Sequence, residues 1–177
     1  GLVVPANASG FYQTDQSYPP AQQEQMAGWY GQQFEVRLSP LSASDPPIFE
    51  TTLRAPEILT ISSPVITSGD PTFSRQENLQ WNADPANEED VFIILDFSPE
   101  GYGNEAFSEH NGFANLIRTP DDGAYQFSPS DFGGIPLGAT ISIFVGRGKY
   151  ARVTGSDGRY YFVAPYSLTA GLFRLAE

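Results

Sequence analysis

Apolar and polar residues along this chain alternate in short runs with a period of two, which is the spacing of a half-buried strand. Residues 34–38 place Phe34, Val36 and Leu38 on one face and Glu35 and Arg37 on the other. Residues 48–53 read as the return strand of a hairpin, with 39–47 as its loop. Further strands are expected at 58–61, 65–66, 78–81, 91–97, 113–118, 124–127, 140–145, 160–163 and 172–175. The run 91–97 is the most apolar and predicts a central strand. Val91, Ile93, Leu95 and Phe97 share its inner face, while Phe92, Ile94 and Asp96 lie on the more exposed one. Leu79 and Trp81 stand two apart, and Trp81 has the placement of a core residue.

Turn chemistry punctuates these runs. Ser68 to Pro71, Asp84 to Asp90, Asp121 to Gly123 and Ser156 to Gly158 read as turns, the last closing a hairpin. Long loops are expected over 98–112 and 128–138. The one plausible helix is residues 20–27, with Pro20 at its start and Gly28 at its end. About ten short strands at spacings near 8–15 residues predict an all-β sandwich or barrel rather than alternating strands and helices. No fixed-period repeat is evident. The chain divides into an N-terminal extension with a β-hairpin over 1–60 and a sandwich over 61–177.

The passage Glu77 to Trp81, Asn82 to Asp90 and Val91 to Leu95 resembles the second and third strands of fibronectin type III and related immunoglobulin-like domains. There a Trp closes one strand, a Pro- or Asn-rich turn follows, and a hydrophobic strand comes next. Ile135-Pro-Leu-Gly138 leading into 140–145 looks like the passage before a late strand of that fold. Leu53-Arg-Ala-Pro56 resembles the alanine-proline step that precedes the sandwich in surface lipoproteins of Bacteroidetes-type bacteria. The resemblance implies an immunoglobulin-like antiparallel β-sandwich with a strand-forming N-terminal extension. A lipoprotein anchor needs an N-terminal Cys, and this chain has none.

Composition removes several chemistries. Among 177 residues there is no Cys, one His and one Met. Disulfides, thiolate metal sites, cysteine nucleophiles and histidine-cluster metal sites are therefore excluded within one chain. His110, in the run Ser108 to Gly112, has acids nearby, but no G-x-S-x-G elbow accompanies it. Carboxylates are abundant, and nothing selects a catalytic pair. No catalytic residue, cofactor or resident metal is assigned, and the protein is expected not to be an enzyme. Calcium is the one metal that the side-chain inventory supports. The loops 84–90 and 121–122 are where it would bind.

Nine bases against 21 acids give a net charge of -12, which disfavours nonspecific nucleic-acid binding. No apolar run is long enough to span a membrane as a helix. Scarce lysine with 15 Pro and 17 Gly points to an extracellular or cell-surface location. Asn7-Ala-Ser9 is a formal glycosylation sequon. The charge is uneven: residues 61–140 carry 13 acids and 2 bases, whereas 141–177 carry 2 acids and 5 bases.

Arg147, Lys149, Arg152 and Arg159 fall on one expected hairpin, either paired with acidic strands of the same sandwich or facing an acidic neighbour. Trp29 and Tyr30 stand outside the clear strands and are the candidate sugar-stacking aromatics, with Tyr102, Tyr160 and Tyr161 as further ones. The expected function is a non-catalytic structural or interaction module, a subunit of a surface assembly joined by strand addition or charge complementarity. Its expected partners are other protein subunits, a second copy included. The alternative is a carbohydrate-binding module.

Overall fold

The structure, a computed structural model, describes residues 27–40, 45–65, 71–97 and 113–177. These form twelve strands and one short 3-10 turn. The chain is an all-β sandwich, as the alternation predicts. Of the expected helix only Ala27 lies among the described residues, and the loop 98–112 with His110 lies outside them.

Strands β1 (Gln33–Leu38) and β2 (Phe49–Arg54) pair antiparallel as a separate hairpin, with Val36 opposite Thr51. The next strand is β3 (Ile61–Ser63). One sheet has the order β3, β5 (Asn78–Trp81), β8 (Ala124–Gln126). The other has the order β4 (Thr72–Ser74), β12 (Tyr166–Ala176), β9 (Thr140–Gly148), β6 (Val91–Phe97), β7 (Phe113–Thr119). All pairings are antiparallel except β4 with β12, which is parallel. Strands β10 (Ala151–Thr154) and β11 (Tyr160–Val163) form a second separate hairpin.

Burial follows the pleat. Along β6 the inner residues Val91, Ile93, Leu95 and Phe97 are buried, while Phe92, Ile94 and Asp96 are half-exposed. Ile141, Ile143 and Val145 of β9 face the same core, with Leu79 and Trp81 of β5 buried in it as well. At one end Phe73 lies 5.2 Å from both Phe127 and Phe173, and Phe127 lies 5.3 Å from Phe132. Offset and edge-to-face ring contacts of this kind add to the area that the rings bury.

The C-terminal strand is longer than the pattern predicts, 11 residues instead of 172–175. Its inner positions include Ser167 and Gly171, which are not apolar and so hide the period. Ser167 is buried because its hydroxyl accepts the Leu59 amide at 2.8 Å. The hairpin assignment also changes. The expected strand before the 156–158 turn is 140–145, but β9 pairs with β6 and β12, and β11 pairs with β10, a strand the pattern does not predict. The Ser156–Gly158 turn does close that hairpin, with Gly158 at a φ of 78° that side chains with a Cβ rarely adopt.

Candidate functional site

The four bases expected on one hairpin occupy three different settings. Arg147 is the inner residue that follows Ile141, Ile143 and Val145 on β9, and its side chain is fully buried. It therefore does not face outward as an interaction residue. Its Nη1 donates to Asp121 Oδ2 at 2.9 Å, its Nη2 to the Asn82 carbonyl at 2.8 Å, and its Nε to the Glu57 carbonyl at 3.2 Å. Asp121 also accepts Trp81 Nε1 at 2.9 Å and Asn87 Nδ2 at 3.0 Å. A buried charge is tolerable only when paired and hydrogen-bonded in this way. Asp121 of the acidic turn is thus an internal counter-charge, and Gly123 at φ 92° accepts the Trp81 amide through its carbonyl.

A second ion pair joins the β1–β2 hairpin to the sandwich. Arg54 holds Asp84 through two bonds of 2.8 and 2.9 Å, and Asp84 also accepts the Glu57 and Ala86 amides. Burial pushes the Asp84 carboxyl up. The Arg54 guanidinium and the two amides outweigh burial and hold it below the usual aspartate range. A carboxyl lowered on folding stabilises the fold above its unfolded pKa, and loses that contribution as pH falls through the folded value. Melting temperature should therefore fall on acidification below about pH 4. An Asp84→Asn variant should lose less between about pH 7 and pH 3 than the parent. Equal losses in a thermal melt series would show that Asp84 carries none of the acid sensitivity.

Asp84 and Asp121 are two of the six carboxylates in the expected calcium loops. Both already hold guanidinium groups. Among the described residues no group of three or more His, Asp or Glu stands close enough to hold a metal ion.

Lys149 is exposed and pairs with Glu88 at 3.2 Å. A solvated pair of that kind contributes little to stability. Arg152 and Arg159 lie on or beside the β10–β11 hairpin. Arg159 is 3.8 Å from Asp157, and the Arg152 guanidinium rests 4.8 Å from the Tyr160 ring centroid.

Pairing of Arg152 with Phe162 and Thr154 with Tyr160 places these four on one exposed hairpin face. Tyr150 adjoins it, 6.2 Å from Phe162. Tyr150, Tyr160 and Phe162 are 71%, 62% and 68% exposed. Tyr161 points the other way, 5.1 Å from Phe49 of β2, and anchors the hairpin. Tyr160 and Tyr161 are neighbours in sequence and both candidate stacking aromatics. Strand alternation separates them, and it brings Phe162 to the Tyr160 face, with Tyr150 beside it.

Trp29 and Tyr30 do not form an open platform. They line a small apolar cleft with Phe34, Ala55, Pro165 and Tyr166, and the Tyr30 hydroxyl reaches toward the Tyr166 carbonyl at 3.5 Å.

The outer face of the five-stranded sheet is apolar as well. Ile94 lies opposite Leu116 on one side and Phe144 on the other, and Phe144 lies opposite Ala170. Leu116, Leu168 and Leu172 are 56%, 47% and 57% exposed. Gly146 lies between Phe92 and Leu168 in the register, and a Cβ there would collide with the Phe92 ring. Among the described residues the β12 edge is open too. Its ladder with β4 covers only Arg174–Ala176. The Arg174 amide bonds toward β4 and the Leu175 amide toward β9, so by alternation the backbone groups of Leu168, Ala170 and Leu172 face the open side. Among the described residues none pairs with them.

No protein-family model, curated protein or solved structure matches the chain. No helix among the described residues is long and apolar enough to cross a membrane.

Proposed function

We propose that the protein is a non-catalytic interaction module of the extracellular space or cell surface, working as a subunit of an assembly through protein contact. The carrying observation is the apolar outer face of the five-stranded sheet, bordered by a β12 edge that, among the described residues, is paired only over Arg174–Ala176. Contiguous exposed apolar surface marks an interaction site, and an open strand edge is a template for a further strand. The sandwich is read as immunoglobulin-like. What supports this is the division of strands, with β3, β5 and β8 in one sheet and β6, β9 and β12 in the other. It parallels the split of the first, second and fifth strands from the third, sixth and seventh in that architecture.

In this reading the β12 edge accepts a strand from a neighbour, supplied by N-terminal residues such as Leu2 to Pro5 or Gly10 to Tyr12. Those residues lie outside the described ones. Deleting residues 1–13 should reduce assembly in size-exclusion chromatography relative to the full chain. Unchanged assembly removes strand addition as the mechanism.

A further inference from the structure

The segment that carries the hairpin differs in charge from the rest of the chain. Residues 149–163 carry three bases and one acid, and the rest of the chain carries six bases and 20 acids. Beside this hairpin lies a groove of about 610 Å³. Phe92 and Leu116 supply its apolar lining, Glu89 and Asp90 its acids, Arg118 and Lys149 its bases, and Tyr150 is shared with the hairpin face. Glu88 next to it is already held by Lys149, whereas Glu89 and Asp90 are exposed.

The molecule thus carries, side by side, an aromatic blade bearing an arginine and a mixed groove with an apolar floor, in which Lys149 is tied to Glu88 while Glu89 and Asp90 stand exposed. Two such patches on identical chains are mutually complementary. A two-fold contact needs this, because the same patch must serve on both sides, with residue i meeting j and j meeting i. Apolar floor, aromatic insert and flanking opposite charges are also the composition of an interface core and its rim.

We infer that the β10–β11 hairpin of one chain docks in the Phe92–Leu116 groove of a second copy, and that the exchange is reciprocal, giving a two-fold dimer. Phe162 and Tyr160 enter against Phe92 and Leu116, and Arg152 meets Glu89 and Asp90. The inference rests on the interaction-module reading and names a partner for its surface. It does not use the β12 edge or residues 1–13.

The test is sedimentation velocity and native mass spectrometry of the full chain. The expected result is a dimer whose affinity falls as salt rises from about 0.05 to 0.5 M, since rim charges are screened. Arg152→Glu should weaken association by about tenfold or more, and so should Glu89→Arg combined with Asp90→Arg. An equimolar mixture of those two variants should restore a heterodimer, because each hairpin then meets a groove of opposite charge. All of these positions are exposed, so each variant should melt within a few degrees of the parent. A parent that stays monomeric overturns the inference, as do variants that dimerise like the parent. If that monomer binds glycans and loses them with Tyr160→Ala and Phe162→Ala, the face belongs to carbohydrate instead. Deletion of residues 1–13 separates the two mechanisms. A dimer that survives the deletion and is lost in Arg152→Glu supports the hairpin contact, whereas loss on deletion alone overturns it in favour of strand addition.

Discussion

Arg147→Ala is expected to lower the unfolding free energy by about 3–5 kcal/mol in urea titration, because it removes one partner of a buried ion pair. Nothing else in the site replaces the guanidinium. Asp121 would keep two neutral donors, Trp81 and Asn87, against a full charge that is 3% exposed. The Asn82 and Glu57 carbonyls would lose their donor at the same time. Each such orphaned group costs about 1–3 kcal/mol on its own. A domain of this size is stable by about 5–15 kcal/mol, so the variant keeps only part of that margin. Asp121→Asn should also destabilise, leaving the Arg147 charge without its counter-ion. A loss below about 1 kcal/mol for Arg147→Ala would mean that solvent reaches the pair.

Phe73→Ala should have an effect of the same order, about 3–5 kcal/mol, for a different reason. Phe73 has no exposed surface and touches the rings of Phe127, Phe132 and Phe173. Those rings come from separate segments, so the cavity cannot collapse without moving several of them. The melting temperature should fall by about 6–20 °C. Leu137→Ala, at a residue 44% exposed, is the control and should stay within about 0.5 kcal/mol. Similar shifts for both variants would contradict the packing described for Phe73.

Much of the fold was legible because strand burial is local arithmetic. The split of Val91, Ile93, Leu95 and Phe97 from Phe92, Ile94 and Asp96 follows from a period of two, and the folded chain keeps it. Trp81 was legible as core for the same reason. The site was less so. Arg147 continues the alternation of Ile141, Ile143 and Val145, and that rule extended by one step places it inside. Ending the strand at 145 turned it outward. Tyr161 and Phe49 meet across more than a hundred residues, and no local pattern announces such a contact.

The uneven charge illustrates the difference. The amino-acid order alone settles that acids crowd the middle of the chain and bases crowd 147–159. It also settles the all-β character, since hydrophobic period and turn residues are properties of neighbouring positions. Which charges are spent inside and which remain for a partner was decided only by long-range pairing. The β9 register against β6 and β12 carries Arg147 to Asp121, while Arg152 stays on an exposed hairpin with three aromatic rings. A side chain's face follows from its parity in a strand, but the neighbour that waits on that face comes from another part of the chain.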